Sequence, residues 1–118
     1  MNKGQVYEDQ AAQMLLGAGL EILERNYRCK LGEIDLICSD GKALVFVEVR
    51  FRRQQHYASA AASVTHAKQR RLWRTAQLYL QRRGWSDKRP CRFDVIAISA
   101  GQPGQEDGIQ WLKNAITM

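Results

Sequence analysis

The hydrophobic pattern of the chain centres on two short apolar segments that a polar turn separates. The first covers residues 34–38 and reads Ile-Asp-Leu-Ile-Cys, and the second covers residues 44–49 and reads Leu-Val-Phe-Val-Glu-Val. Apolar segments of this length, joined by a turn that contains Asp40-Gly41, are typical of a β-hairpin. Each predicted strand also carries acidic side chains among the apolar ones, so the hairpin is a candidate functional site.

The acids of the two strands are predicted to lie on the same side of the hairpin. Side chains alternate between the two faces of a strand, so Glu33 and Asp35 share one face of the first strand. A two-residue loop at 40–41 would place Glu33 opposite Glu48, whereas a four-residue loop over 40–43 would place Asp35 opposite Glu48. The sequence leaves both registers open, and both bring acids of the two strands together.

Facing carboxylates among apolar neighbours need a compensating interaction. Like charges across a strand pair are destabilising, and burial of an ionised carboxylate is costly. Such carboxyl groups shift their pKa or bind a cation, and the hard divalent ions Mg²⁺ and Mn²⁺ take oxygen ligands from one or two carboxylates. The competing interpretation is that each acid is a solvent-exposed residue of an edge strand, where it prevents unwanted strand pairing.

The hairpin residues also carry a family resemblance. Residues 32–37, Gly-Glu-Ile-Asp-Leu-Ile, and residues 45–50, Val-Phe-Val-Glu-Val-Arg, resemble the bacterial YraN family, whose core is similar to the restriction-endonuclease or Holliday-junction-resolvase fold. The resemblance extends over residues 4–98. It implies a PD-(D/E)xK motif in which Asp35 is the motif aspartate, Glu48 is the second acid and Arg50 takes the position of the motif lysine. Arginine cannot act as a general base, although its guanidinium suits a phosphate.

This resemblance implies a metal-dependent endonuclease that acts on the phosphodiester backbone of DNA, including branched or single-stranded DNA. Mg²⁺ or Mn²⁺ would be held by Asp35, Glu48 and the carbonyl of Val49. The residues implied in catalysis are Asp35, Glu48, Arg50, Glu33 and Glu8. Resolvase-like proteins often act as dimers, so a homodimer is expected. Two alternatives stay open: a weak or inactive nucleic-acid-binding module of the same fold, and an adaptor that binds an acidic protein.

A first helix is predicted from Gly4 to about Gly17, where apolar residues recur at helical spacing. Glu8 and Asp9 are expected in its opening turn, where the helix dipole favours acids. Alternatively, Glu8 leans over the sheet toward Asp35 and serves as an extra metal or water ligand, as the resemblance implies.

A second helix is predicted over residues 66–83, with Thr65 as its N-cap. Its six basic residues meet no acid within the helix, unlike an ordinary solvated helix face. We expect the basic residues in and before this helix to contact the nucleic-acid backbone. These residues are Arg52, Arg53, Lys68, Arg70, Arg71 and Arg74.

The remaining pattern predicts strands at residues 20–28, 92–98 and 109–112, with a loop over 57–63. The order α-β-β-β-α-β-β predicts an α/β, restriction-endonuclease-like domain in which helices flank a mixed central sheet. Asp94, inside the most apolar predicted strand, is expected to be structural and not a metal ligand.

Composition narrows the class of protein further. The 118 residues suit one domain, with 45% apolar and 25% charged residues and no stretch that could span a membrane, so the cytoplasm is expected. Cys29, Cys38 and Cys91 lack metal-ligand spacing and are expected to be reduced, mostly buried thiols. Residues 50–92 hold twelve basic residues and one acid, while the rest of the chain is predominantly acidic. This polarity favours a phosphate-rich partner.

Overall fold

A five-stranded mixed sheet with one helix on each face forms the domain. The computed structural model describes residues 3–52, 64–86, 88–101 and 103–117, apart from the side chains of Lys3 and Arg52. Its elements are α1 (Lys3–Gly17), β1 (Glu21–Cys29), β2 (Gly32–Asp40), β3 (Ala43–Arg52), α2 (His66–Arg83), β4 (Cys91–Ser99) and β5 (Gly108–Ile116). The predicted α/β class and element order are confirmed. Neither helix in these ranges is long and apolar enough to cross a membrane.

The strands lie in the sheet in their order along the chain, from β1 to β5. All neighbours are antiparallel except β3 and β4, which are parallel. A parallel pair requires a crossover connection, and α2 lies within it. This crossover places α2 over the sheet, where it contacts β2 most extensively among the strands.

Two hydrophobic clusters cover the two faces of the sheet. Alternate residues of β3 belong to different clusters: Phe46 packs with α2, while Val45 and Val47 pack with α1. The α2 cluster includes Ile37, Leu72, Ala76, Tyr79 and Phe93. The α1 cluster includes Ala11, Leu15, Leu36, Ile96 and Ile98. β3 is therefore buried on both faces, and an acid near its end leaves bulk water when the protein folds.

The hairpin of β2 and β3 turns at Gly41 and Lys42, because Asp40 pairs with Ala43. Gly41 has a positive φ of 61°, a conformation that glycine adopts without steric cost. The pairing continues from there to Leu36 and Val47. This is the register predicted from the four-residue loop; the register that pairs Glu33 with Glu48 is wrong.

The second helix has the predicted bounds because both of its ends are capped. The Thr65 side chain accepts a hydrogen bond from the backbone N–H of Lys68, at 3.2 Å. At the other end, Gly84 has a φ of 70°, and its N–H donates to Gln81. Lys68 thus has a fixed backbone position in the first turn of α2.

The last strand is longer than the predicted residues 109–112, because β5 continues to Ile116. Asn114 has a φ of 53°, and the pairing of β4 with β5 shifts between Phe93 and Val95. This irregularity breaks the alternation of apolar and polar residues from which a strand is predicted. The loop predicted over 57–63 lies outside the described residues.

The three cysteines are free thiols, as expected. Only Cys38 is buried, and its burial, together with the charge of Asp94, raises the pKa of its thiol to about 12. Cys29 and Cys91 are half-buried, so the expectation of mostly buried thiols is met by Cys38 alone.

Asp94 anchors β4 to β5, as its predicted structural role requires. The residue is fully buried, and its carboxylate accepts hydrogen bonds from the Trp111 indole N–H and the Asn114 backbone N–H, both at 2.8 Å. Arg92 Nε donates to the same carboxylate at 3.1 Å. Charge-assisted hydrogen bonds of this kind are strong because a buried carboxylate has no water to compete for its oxygens.

Replacement of Asp94 by alanine is expected to lower the free energy of unfolding by about 2–4 kcal/mol, because Trp111 and Asn114 would lose hydrogen bonds to a fully buried carboxylate. Asp40→Ala is the matched control: Asp40 also pairs with Arg92, at 3.3 Å, but is exposed, so its loss should cost under about 1 kcal/mol. Urea unfolding measures both values. Equal losses in the two variants would contradict the anchoring role of Asp94.

Candidate functional site

The acids of the hairpin line a small cavity beneath α2. Its volume is about 250 Å³. The lining residues are Gly32, Glu33, Asp35, Glu48, Lys68, Arg71 and Leu72. The hairpin supplies the acidic side of this cavity, and α2 supplies the basic side. A cavity of this size and charge suits a metal ion with a phosphate group better than a large organic ligand.

Asp35 lies where β2 and β3 cease to pair. The strand pairing ends at Leu36 and Val47, and the next available N–H of β3, that of Val49, donates to Asp35 Oδ2 at 2.8 Å. A side-chain carboxylate therefore takes the place of a backbone acceptor. This hydrogen bond fixes the orientation of Asp35 without using its second oxygen.

The environment of Asp35 raises the pKa of its carboxyl to about 7. Burial is the largest cause, and the charge of Glu48 is the second. The Val49 N–H opposes this rise, whereas the charges of Glu8 and Glu33 add to it. An ionised Asp35 is therefore poorly compensated by the protein, and a cation in the cavity would stabilise it.

Glu48 lines the acidic side of the cavity from β3 and is only 6% exposed. Lys68 Nζ on α2 donates to Glu48 Oε1 at 3.1 Å, so the buried carboxylate has a cationic partner. The sequence placed Lys68 among the residues that contact a nucleic-acid backbone, and its pairing with Glu48 was not foreseen. The available signal was its position one turn before Leu72, at the edge of the apolar stripe of α2.

Glu8 lies on α1 and is not among the residues that line the cavity. The expectation that Glu8 and Asp9 lie in the opening turn is wrong, because α1 begins at Lys3 and has no acid in its first turn. The Oε1 atom of Glu8 is buried without a hydrogen-bond partner among the described residues, and lies 3.9 Å from Arg25 Nη2. Its charge adds to the raised pKa of Asp35, after burial and the charge of Glu48, and its role as a metal or water ligand stays a prediction.

The other predicted site residues are distributed around this centre. Glu33 lines the cavity and pairs with Arg28 at 3.4 Å. Arg50 is half-buried two residues beyond Glu48 on β3, but is not among the residues that line the cavity. Its role at the phosphate and the role of the Val49 carbonyl stay predictions.

The predicted nucleic-acid contacts divide into three groups. Lys68 and Arg71 line the cavity, and Arg70 and Arg74 are exposed on α2. The Arg52 side chain and the whole of Arg53 lie outside the described residues. The structure therefore presents a basic helix surface that begins at the acidic cavity.

The donor set is compatible with a divalent ion of the Mg²⁺ type. Within the described ranges, no group of three or more His, Cys, Asp or Glu side chains has the arrangement of a metal site. Magnesium, however, is commonly held by one or two carboxylates, with water and substrate phosphates as its other ligands. Asp35 and Glu48 supply two such carboxylates, and a nearby cation would oppose the rise in the pKa of Asp35.

The fold and the cavity define a class of protein: an α/β domain with a mixed sheet, whose hairpin presents the buried Glu48 and the half-buried Asp35 to a basic helix. The family model described as Uncharacterised protein family UPF0102 matches residues 7–98. The chain belongs to this family, which confirms its resemblance to YraN. The matched segment contains every residue that lines the cavity.

Similarity to individual relatives extends beyond the segment that the family model matches. The chain is 56% identical over 113 residues to a UPF0102 protein of Janthinobacterium sp. (strain Marseille), a match that covers 96% of this chain and 85% of the relative. It is 47% identical over 114 residues to a UPF0102 protein of Nitrosococcus oceani, covering 97% and 90%. A UPF0102 protein of Saccharophagus degradans is 51% identical over 108 residues, covering 92% and 86%.

The raised pKa of Asp35 predicts a pH-dependent cost to stability. Because the folded protein disfavours the ionised carboxyl, this cost is absent below about pH 4, grows as the pH rises toward 7 and is constant above it. Asp35→Asn should therefore be more stable than the wild type at about pH 8, with a free energy of unfolding in urea that is higher by roughly 1–4 kcal/mol. The difference should be smaller at about pH 4. Both measurements require a chelator.

Glu21→Gln is the matched control for this measurement, since it removes an exposed carboxylate of β1 outside the cavity. Its effect on unfolding should be small at both pH values. If Asp35→Asn gives the same difference from the wild type at both pH values, burial does not control the protonation of Asp35.

Proposed function

We propose that the protein is a metal-dependent nuclease that hydrolyses the phosphodiester backbone of DNA, including branched or otherwise structured DNA. One observation carries this proposal: two carboxylates from neighbouring strands, Asp35 and Glu48, line one small cavity whose opposite side is basic. This combination supplies oxygen ligands for a hard cation and positive charge for a phosphate at the same place. The family resemblance assigns the same two acids to a nuclease motif.

Asp35 and Glu48 would hold Mg²⁺ or Mn²⁺, which when bound supplies Lewis-acid activation of the phosphate and of a water molecule. Val49 keeps one oxygen of Asp35 in place through its N–H, so the carboxylate is oriented before any ligand arrives. Arg71, which lines the cavity, would stabilise negative charge on the phosphate. Arg50 would contribute from β3 if its guanidinium turns toward the substrate.

Glu8 and Glu33 are the candidates for orienting the attacking water. The Oε1 atom of Glu8 lacks a hydrogen-bond partner among the described residues, so it can accept a proton or a hydrogen bond from water. Glu33 is already engaged by Arg28. Glu33 lines the cavity, whereas Glu8 does not and has Arg25 at 3.9 Å, so both acids stay candidates.

A binding module without cleavage is the second candidate function. Arg50 in the position of the motif lysine favours it, because arginine cannot take a proton from water. The basic surface of α2 would then bind nucleic acid while the acidic cavity stays catalytically silent. An adaptor for an acidic protein is a third candidate. The cytoplasmic location and the homodimer stay predictions.

Cleavage of labelled duplex, flap and four-way-junction DNA, with MgCl₂ or MnCl₂ against a chelator, tests the proposed activity. The wild type should give product only with the divalent ion. Asp35→Asn and Glu48→Gln should lower the rate on the order of 100-fold or more, because each removes a charged ligand from the cavity.

Glu21→Gln should cleave at the wild-type rate, since its carboxylate is exposed on β1. DNA binding without product in either metal would favour the binding module. Cleavage that persists in Glu48→Gln would place the chemistry elsewhere in the chain.

The exposed arginines of α2 predict how DNA binding depends on salt. Each phosphate contact contributes a slope of about −0.9 to the plot of log affinity against log salt concentration. The double variant Arg70→Ala with Arg74→Ala should lose about tenfold or more in affinity and reduce the slope by about two. Fluorescence anisotropy at several salt concentrations measures both quantities.

Lys42→Ala is the control, because Lys42 is an exposed base at the hairpin turn, away from the acidic end. An unchanged slope in the arginine double variant would mean that Arg70 and Arg74 of α2 do not contact DNA. Salt-insensitive association would instead support the adaptor.

A further inference from the structure

We propose that the ammonium of Lys68 is the resident counter-ion of the acidic cavity, and that a divalent ion must displace it from Glu48 in order to bind. The proposal rests on the metal site of the proposed function and adds the residue that regulates its occupancy. The site then has two states: one in which α2 neutralises Glu48, and one in which the metal does so and Lys68 is released.

The Lys68 ammonium lies where the divalent ion would bind. Lys68 Nζ lies 3.1 Å from Glu48 Oε1, and both residues line the cavity that Asp35 also lines. An ion ligated by Asp35 and Glu48 would lie close to this ammonium, where two positive charges repel each other. The Lys68 side chain and the ion therefore compete for the same carboxylate.

The buried carboxylate of Glu48 needs a counter-ion. Glu48 is 6% exposed, and a buried carboxylate without a cationic partner is strongly disfavoured. Lys68 meets this need when metal is absent. The burial that makes Glu48 a strong ligand for a cation also makes it dependent on Lys68.

The Lys68 side chain can move away from Glu48 without unfolding of α2. Its backbone N–H is held by the Thr65 side chain, so the start of α2 can stay in place while the side chain moves. The Lys68 side chain is 33% exposed, and its four-carbon stem is flexible, so the ammonium can turn toward the cavity mouth. There it would meet the phosphate of a substrate, and ligand binding would be coupled to metal binding.

Metal affinity measured without a nucleic acid tests the exchange independently of cleavage. The experiment titrates wild type, Lys68→Met and Lys68→Gln with MnCl₂ at about pH 7.5, by electron paramagnetic resonance of free Mn²⁺ and by thermal shift. Both neutral variants should bind Mn²⁺ about tenfold more tightly than the wild type. Lys68→Gln is included in case Lys68→Met does not fold, because the glutamine amide can still donate a hydrogen bond to Glu48.

Arg70→Met is the matched control, since it removes one positive charge from the same helix at an exposed position outside the cavity. Its Mn²⁺ affinity should equal that of the wild type, which separates local competition from a change in net charge. Lys68→Met should also melt at a lower temperature than the wild type without metal, with a larger rise on addition of Mn²⁺.

The outcomes separate this proposal from the proposed function. Equal Mn²⁺ affinity in the wild type and both Lys68 variants, or weaker binding in the variants, overturns the exchange but leaves the metal site in place. Absence of Mn²⁺ binding in the wild type and in every variant overturns the metal site itself. Tighter binding in both Lys68 variants, with Arg70→Met unchanged, supports the exchange.

Discussion

The close placement of two carboxyl groups at one end of a hairpin, one buried and the other half-buried, is the constraint on which the rest of the site depends. Asp35 and Glu48 line the same cavity, and the protein gives each a different partner. The backbone N–H of Val49 holds Asp35, and the ammonium of Lys68 holds Glu48. Burial and the charge of Glu48 raise the pKa of Asp35 to about 7, although the Val49 N–H opposes the rise. A divalent cation beside both carboxylates would favour the ionised form of Asp35.

The sheet and the two helices make this arrangement possible. Because β3 is covered on both faces, a carboxylate at Glu48 is removed from water by the same packing that forms the core. The parallel crossover to β4 carries the chain through α2, whose capped first turn places Lys68 over the cavity. Asp94 has a structural role instead, because its carboxylate accepts hydrogen bonds from Trp111 and Asn114 of β5. Similar carboxylates thus perform different tasks according to their neighbours.

The sequence predicted the elements better than their contacts. Short-range patterns determine helix bounds, so Thr65 and the Gly84 cap made α2 predictable. The hairpin register stayed open because two turns were compatible with the same residues, and only the paired strands distinguish them. The positions of Glu8 and Lys68 depend on helix packing, which no local pattern encodes. Lys68 was assigned to a helix surface correctly, but its pairing with Glu48 links residues that are twenty positions apart.

The central claim is that Asp35 and Glu48 form a binding site for a divalent cation. Crystals of the wild-type protein soaked in MnCl₂, with diffraction data collected at the manganese absorption edge, test this claim most directly. The account predicts an anomalous difference peak within ligand distance, about 2–2.5 Å, of oxygens of both carboxylates. Manganese peaks only at other positions, or none while the Lys68 ammonium stays on Glu48 at saturating MnCl₂, would contradict it.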